Sequence, residues 1–170
     1  YIGDANKKNS SFNLKSLINT KKNCKIYYYH FPELNDAKTI YKLSTIVKEK
    51  YICFSGDDDF FIPKSLIQCS NFLEKNKNYR TAHGSSYIFQ TKNDELYQEV
   101  VQIYNYRNKN EIINNTAAKR AINLSKNYYV PEFSVSRTQD FIDDKKPCLD
   151  IIDRNIREYM SSFSIIINGK

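Results

Sequence analysis

One stretch governs the interpretation of this chain: Tyr51-Ile52-Cys53-Phe54-Ser55-Gly56-Asp57-Asp58-Asp59-Phe60-Phe61-Ile62-Pro63. Apolar residues that favour β-structure lead into Gly56, and three consecutive carboxylates follow. An apolar triplet then precedes Pro63, which suits the first turn of a helix. The order predicts a buried strand that ends in an acidic loop.

The three carboxylates of this loop, Asp57, Asp58 and Asp59, repel one another unless a cation neutralises them. Hard oxygen ligands suit Mg²⁺ or Mn²⁺, which share their remaining positions with substrate phosphates. A solvated acidic turn is the alternative, because Asp and Gly are common turn residues. The apolar runs on both sides are expected to hold the loop against a core, which favours a clamp for a metal and a diphosphate.

Length and composition predict one globular domain. The chain has 170 residues, of which 41% are apolar. It begins with a tyrosine and its one methionine is Met160, and it ends on the run Ile165-Ile166-Ile167-Asn168-Gly169-Lys170 without a polar tail, so both ends are expected to be cut from a longer protein. No apolar run approaches the roughly 20 residues that cross a bilayer. The four cysteines show no CxxC spacing and are expected to be reduced core residues of a cytosolic protein.

The net charge of +7 is unevenly distributed along the chain. Residues 1–50 hold ten lysines and four acidic residues, whereas residues 51–100 hold five basic and seven acidic residues. A basic face suits an anionic membrane, nucleic acid or an anionic substrate, and the pattern does not choose among them. Scattered, solvated lysines are the simpler explanation.

The first third of the chain alternates between strand and helix patterns. The predicted elements are a strand at 1–4, a helix carrying Phe12, Leu14, Leu17 and Ile18, a strand at 24–29, a helix from the cap Asn35 to Lys50, and a strand at 51–55. This order predicts an α/β domain with a mainly parallel sheet flanked by helices and with right-handed crossovers. Ligands collect beyond the carboxyl ends of such strands, which is where Asp4 and the acidic loop are expected.

The rest of the chain predicts further elements of both kinds. They are a helix from Pro63, a strand over 79–91 interrupted at His83-Gly84, a strand within 96–106, a helix capped by Thr116, an edge strand over 128–135 containing Pro131, and a helix from Pro147 to about Met160.

Three groups of these residues together resemble a known family. They are Tyr1-Ile2-Gly3-Asp4, the strand and acidic run Tyr51 to Phe60, and Phe72-Leu73-Glu74 in the helix that follows Pro63. The set resembles the family 2 glycosyltransferases, and within them the bacterial group whose strand ends in a DDDF run. The resemblance implies one GT-A (Rossmann-like) domain over residues 1–170, truncated at both ends and lacking its first strand.

The resemblance also implies a donor site. In that family the DxD-type motif holds a divalent metal on the diphosphate of a nucleotide sugar. Carried over, Asp59 coordinates Mn²⁺ or Mg²⁺, and Asp57 approaches the ribose or a metal-bound water. Asp58 supports them, and Asp4 contacts the nucleoside base.

Inverting members of the family use a late carboxylate as general base. Glu158 is the first choice for this role, with Asp153 and Asp150 as runners-up. The alternative for Glu158 is a solvated carboxylate paired with Arg154 four residues earlier.

Basic side chains offer a further candidate contact to the donor. Guanidinium groups suit phosphate oxygens, and Arg137 is preferred over Arg120 for neutralising the leaving diphosphate. His83, next to Gly84, is expected to be structural rather than a ligand to an acceptor sugar.

The expected activity is therefore that of a hexosyltransferase-like enzyme that moves a sugar from a nucleotide-diphosphate donor to an acceptor hydroxyl with inversion. The family implies a saccharide or lipid-linked acceptor and a role in bacterial surface polysaccharide synthesis. It also implies a cytoplasmic protein that can associate peripherally with the inner face of the membrane. No nucleic-acid partner is expected. A Mg²⁺-dependent nucleotidyl- or phosphotransferase, a non-catalytic relative and a basic binding module remain alternatives.

Overall fold

The computed structural model describes residues 1–8, 24–56, 58–92, 99–106 and 111–170. Within that part, the chain divides into two compact units. The first comprises Tyr1–Ile52 and Arg137–Ser161, and the second comprises Cys53–Ser136 and Ser162–Lys170. Each unit is therefore built from segments that are far apart in sequence. The single domain predicted over residues 1–170 stays a prediction.

Helices and strands alternate irregularly along the described chain. In order they are β1 (Ile2–Asp4), β2 (Tyr28–His30), α1 (Asp36–Ser44), β3 (Tyr51–Ile52), α2 (Pro63–Lys75), β4 (Thr81–Ala82), β5 (Tyr87–Thr91), β6 (Val100–Asn105), α3 (Ala117–Lys126), β7 (Val135–Arg137), α4 (Thr138–Lys145) and α5 (Arg154–Asn168). Short 3₁₀ helices cover Pro131–Phe133 and Lys146–Cys148.

In the first unit, β1 and β2 form a parallel pair in which Asp4 lies opposite His30. Helix α1 packs on β1 and begins at Asn35, whose side-chain oxygen accepts a hydrogen bond from the Lys38 amide at 2.9 Å. Gly3 permits the close packing, since a Cβ at that position would lie only 2.9 Å from Cγ2 of Thr39.

The later segment of the first unit is tied to the earlier one by side chains. The hydroxyl of Thr138, at the start of α4, donates to the carbonyl of Glu49 at 2.6 Å. The guanidinium of Arg157, on α5, donates to the carboxylate of Asp36 at 2.5 Å. Because Arg157 is largely buried and also donates to the Ile151 carbonyl, it fixes α5 against the first turn of α1.

In the second unit, α2 packs on β4, and β4 pairs antiparallel with β7. Pro131 lies in the 3₁₀ helix before β7 rather than within the strand, so it removes no hydrogen bond from the ladder.

Strands β5 and β6 form a separate antiparallel ribbon. Tyr87 lies opposite Asn105 and Phe89 opposite Ile103, and the register shifts between Gln90 and Thr91. Every residue of β6 is exposed, as are the first four of β5.

The buried core of the second unit lies between α3 and the end of α5. Its members are Ile112, Leu124, Tyr129, Ile165 and Ile166, with Tyr128 and Phe163 packed against them. Buried Arg120 lies beside this core and donates to three backbone carbonyls, those of Asn114, Ile166 and Ile167, at 2.7–2.9 Å. Its guanidinium satisfies carbonyls in the last turns of α5, which have no partner within a helix.

The predicted mixed α/β class is confirmed. The caps at Asn35 and Thr116, the helix from Pro63 and the break at His83-Gly84 are confirmed as well. The mainly parallel sheet is not found among the described strands: β1 and β2 are parallel, whereas β4–β7 and β5–β6 are antiparallel. The described strands are two to six residues long, and they form small separate sheets.

Three predictions about elements need correction or lie outside the described residues. The last helix begins at Arg154 rather than Pro147, since Pro147 lies in a 3₁₀ helix, and α4 before it was not predicted. Pro131 does not mark an edge strand. The predicted helix carrying Phe12 to Ile18 lies outside the described residues. Among the residues that are described, no helix combines the length and apolar character needed to cross a membrane.

Replacing Arg120 with methionine should lower the free energy of unfolding by roughly 2–4 kcal/mol, because three carbonyls lose a charged donor. Lys119→Met is the matched control, since Lys119 is exposed on the same helix and should change stability by less than about 0.5 kcal/mol. Urea unfolding measures both values. Equal stability of the two variants would show that the carbonyls do not depend on Arg120.

Candidate functional site

The acidic loop follows β3 through Cys53 and Phe54. The ring of Phe54 packs against that of Phe133, with centroids 5.7 Å apart, which anchors the residues before the loop in the second unit. Gly56, half-buried, comes next. The carboxylates therefore follow an anchored segment, but the buried strand predicted over residues 51–55 is found only at Tyr51–Ile52, and both of these residues are half-buried.

Two of the loop carboxylates converge on Gly56. A Cβ on Gly56 would lie 2.9 Å from Oδ2 of Asp59 and 3.0 Å from Oδ1 of Asp58. Both side chains are exposed and fold back over the glycine, so their oxygens share one small space that the missing Cβ leaves open. Asp57 lies outside the described residues.

This pair of oxygens is a partial donor set for a hard cation. Asp58 and Asp59 present carboxylate oxygens, the ligand type that Mg²⁺ and Mn²⁺ prefer. Within the described part of the chain, no three His, Cys, Asp or Glu side chains come together as a complete site. A cation here would need further ligands from Asp57, water or substrate phosphate.

The apolar triplet after the loop is not buried as predicted. Phe60 is 80% exposed and Ile62 is 62% exposed. Phe60 instead contacts Phe89 of β5, with ring centroids 5.8 Å apart. Phe61 is half-buried, whereas Phe60 and Ile62 are mostly in solvent, so two of the three side chains do not hold the loop against a core.

Asp4 lies at the carboxyl end of β1, as predicted. Its Oδ2 accepts a hydrogen bond from the Tyr28 hydroxyl at 2.6 Å, and its Oδ1 accepts one from the Asn6 amide at 2.9 Å. His30, at the end of β2, donates from Nε2 to the Asn6 carbonyl at 2.8 Å. Asp4, Tyr28 and His30 thus form a hydrogen-bonded group at the edge of the parallel pair.

The sequence did not indicate Tyr28 as a member of this group. Tyr28 lies 24 residues from Asp4, and the tyrosines around it offer no distinguishing signal. The parallel register brings the two residues together, because Asp4 is opposite His30 and Tyr28 lies two residues earlier on the same strand. Side chains two residues apart share a face of a strand.

The two candidate arginines have different surroundings. Arg137 is half-buried at the end of β7, donates to the Tyr51 hydroxyl at 3.3 Å, and lies over the Tyr51 ring with its guanidinium carbon 5.7 Å from the centroid. Lys50 lies 5.6 Å from the same centroid. Arg120 is bound to backbone carbonyls in the core, so the preference for Arg137 as a phosphate contact is consistent with its position.

The late carboxylates lie around the start of α5. Asp153 caps this helix, since its Oδ1 accepts a hydrogen bond from the Ile156 amide at 3.0 Å. Asp150 is nearly fully exposed and lies 4.0 Å from Lys38. Glu158 is exposed on the second turn of α5. Capping gives Asp153 a structural role, which leaves Glu158 as the stronger candidate for a base.

Asp4, Arg137 and the three late carboxylates all belong to the first unit, whereas Asp58 and Asp59 belong to the second. The structure brings Asp58 and Asp59 together over Gly56.

His83 and Tyr129 form a hydrogen-bonded pair in the second unit. Nδ1 of His83 donates to the Gly84 carbonyl at 3.2 Å, so neutral His83 uses Nε2 to accept from the Tyr129 hydroxyl at 3.3 Å. Both ring nitrogens are therefore engaged, as expected of a structural histidine. Burial raises the pKa of Tyr129 to about 12.

The four cysteines, all in the described part, form no disulfide. Cys148 is buried and Cys53 and Cys69 are half-buried, but Cys24 is exposed, so the prediction of core cysteines is wrong for Cys24. Burial, with a smaller contribution from Cys69, raises the pKa of the Cys53 thiol. A raised pKa keeps that thiol protonated and poorly nucleophilic.

Comparison of the chain with protein-family models, with curated proteins and with solved structures found no match. Function is therefore inferred from the residues and contacts described above.

The free energy of unfolding should fall between about pH 10 and pH 12 partly through Tyr129. Below this window the phenol is protonated in both states. Within it the unfolded state loses the proton while the folded state keeps it, so each pH unit costs up to about 1.4 kcal/mol. In urea unfolding, the free energy of unfolding of Tyr129→Phe should fall less steeply with pH than that of the unmodified chain.

Tyr87→Phe is the control for this measurement, because Tyr87 is 56% exposed and its variant should keep the slope of the unmodified chain. Identical slopes for the two variants would show that the Tyr129 phenol ionises equally easily in both states.

Proposed function

We propose that this chain carries the donor-site region of a GT-A, family 2-type glycosyltransferase that moves a sugar from a nucleotide-diphosphate donor to an acceptor hydroxyl with inversion. The observation that supports it is the acidic loop. Asp58 and Asp59 direct oxygens into the space above Gly56, immediately after an anchored apolar segment. We take these carboxylates to be the DxD-type motif of the family that the sequence resembles.

The Asp59 oxygen above Gly56 is of the type that a hard divalent cation prefers, so we assign Asp59 as a ligand of Mn²⁺ or Mg²⁺, with the neighbouring Asp58 oxygen in support. Asp57 is proposed as the second ligand on the family resemblance alone. Once bound, such a cation offsets the negative charge that develops on the leaving diphosphate. The exposure of Asp58 and Asp59 suits this role, because the remaining ligands come from water and substrate.

Asp4 is the proposed contact to the nucleoside. Its hydrogen bonds from Tyr28 and the Asn6 amide orient the carboxylate, whose remaining lone pairs can accept from a base N–H or a ribose hydroxyl. Arg137 is the proposed contact to the diphosphate, and its position over the Tyr51 ring restricts the orientation of its guanidinium plane.

Glu158 is the proposed general base, which takes the proton from the acceptor hydroxyl as that oxygen attacks the anomeric carbon. Asp153 is the runner-up, and its capping bond holds the helix that carries Glu158. Inversion follows from a single displacement and needs no covalent intermediate. A saccharide or lipid-linked acceptor in the bacterial cytoplasm, near the inner face of the membrane, is part of the same proposal.

Isothermal titration calorimetry with UDP and GDP tests the donor site. Binding should require Mn²⁺ and should weaken roughly tenfold or more in Asp59→Ala, which loses a metal ligand. Asp143→Ala removes an equal charge from an exposed position on α4 and should bind like the unmodified chain.

Three outcomes would contradict this proposal. Absence of nucleotide binding, or equal binding by Asp59→Ala, would identify the loop as a solvated acidic turn. Binding that survives Asp59→Ala but weakens steeply with salt would indicate a basic binding surface. Mn²⁺-dependent turnover of the nucleotide's own phosphates, without sugar transfer, would indicate a phosphotransferase.

Gly56→Ala should disturb the proposed metal site while leaving the stability of the fold nearly unchanged. The added Cβ meets only the ends of two flexible carboxylates, so stability should change by less than about 1 kcal/mol while both oxygens are displaced. Mn²⁺-dependent nucleotide binding should therefore weaken by roughly the same factor as in Asp59→Ala. Gly84→Ala is the control, because a Cβ at Gly84 meets no atom within 4 Å. Unchanged nucleotide binding in Gly56→Ala would show that the positions of the two carboxylates are irrelevant.

A further inference from the structure

The β5–β6 ribbon exposes apolar side chains that a stable soluble surface normally covers. Tyr87, Phe89 and Ile103 are 56%, 40% and 65% exposed. Phe89 and Ile103 are directly opposite each other, and Tyr87 lies two residues from Phe89, so the three share one face. Phe60, 80% exposed, extends this face through its contact with Phe89, and Val101 lies beside it at the register shift. These five residues are called the ribbon patch.

The ribbon has little internal support. Among the described strands, β5 and β6 pair with each other and with no third strand. An isolated two-stranded ribbon is marginally stable in water and gains most from packing one face against another layer. A surface that covers the ribbon patch would therefore stabilise the ribbon as well as remove apolar area from water.

We propose that the ribbon patch is a self-association surface, on which the same patch of a second copy packs face to face. Such an interface is isologous, so each residue of one copy meets the corresponding surface of the other across a two-fold axis. The proposal is independent of the metal site and of the glycosyltransferase assignment.

Charge favours a second copy over other occupants. The paired segments Tyr87–Thr91 and Val100–Asn105 contain no charged residue, and at their open end Lys92 and Glu99 lie 3.9 Å apart and offset each other. Two copies of a chain with net charge +7 repel each other, and the repulsion is least where they meet through an uncharged surface. The carboxylates nearest in sequence to Phe60, those of Asp58 and Asp59, disfavour an anionic membrane there.

The available area predicts a weak dimer. An aromatic side chain presents roughly 200 Å², so the exposed parts of the ribbon patch amount to roughly 500 Å² per copy. Burying this area in both copies gives about 1,000 Å², the lower limit for a specific interface. The dissociation constant should therefore lie at about 10–100 μM, without a stable dimer at nanomolar concentration.

Sedimentation equilibrium of the full chain over about 2–500 μM tests the proposal. The unmodified chain should pass from monomer to dimer, and Ile103→Lys should weaken dimerisation at least about tenfold by placing a charge in the patch. Gln102→Lys is the matched control, because the adjacent residue on the same strand points to the opposite face and adds the same charge. It should dimerise like the unmodified chain.

Two results would overturn the proposal: an unmodified chain that stays monomeric throughout the range, or equal loss of dimer in both lysine variants. The patch would instead be a lipid-binding surface if the unmodified chain stayed monomeric and sedimented with phosphatidylcholine–phosphatidylserine vesicles, while Ile103→Lys did not sediment with them. Circular dichroism checks that the variants are folded. Should Ile103→Lys unfold, Phe60→Ser decides the question by the same measurement, since its ring is outside the ribbon and mostly in solvent.

Discussion

Arg120 places a permanent charge in the core region of the second unit, where three backbone carbonyls receive its donors. Burying a guanidinium without partners costs several kcal/mol, so the charge is tolerated only in the geometry that supplies those acceptors. Two of the carbonyls belong to the last turns of α5, and the third lies just before α3. The arginine therefore requires that these segments meet, and the apolar cluster of Leu124, Tyr129 and Ile165 packs where they do.

Local features of the sequence predicted local structure well. Asn35, Thr116 and Pro63 act at helix starts through their own side chains, so neighbouring residues suffice to identify them. Helix α4 was missed because two of its buried residues, Asp144 and Lys145, are charged. The amino group of Lys145 donates to the buried Ser161 hydroxyl at 3.0 Å and lies over the Phe141 ring, contacts that no hydrophobic pattern shows. The mainly parallel sheet was inferred from element order, which does not specify which strands pair.

In the candidate site as well, features that depend on neighbouring residues were predicted, whereas contacts between residues far apart in sequence were not. The position of Asp4 at a strand end was predicted from adjacent residues, and the structure confirms it. The partner of Asp4, Tyr28, depends on a parallel register across 24 residues. The burial of Phe60 was predicted from hydrophobicity, which cannot distinguish a side chain that packs in a core from one on an exposed ribbon. Arg137 was preferred over Arg120 from the sequence, but the sequence did not show that Arg120 is bound to three backbone carbonyls.

The division of the chain into units has a consequence for biosynthesis. The backbone passes from one unit to the other after Ile52, after Ser136 and after Ser161. During translation, the amino-terminal segment of the first unit emerges long before residues 137–161, which hold α4 and the anchoring Arg157. The second unit in turn lacks two of the three acceptors of Arg120 until α5 has been made. Neither unit is complete before its later segment has been made, so α1 and the parallel pair stay incompletely packed until residues 137–161 have emerged.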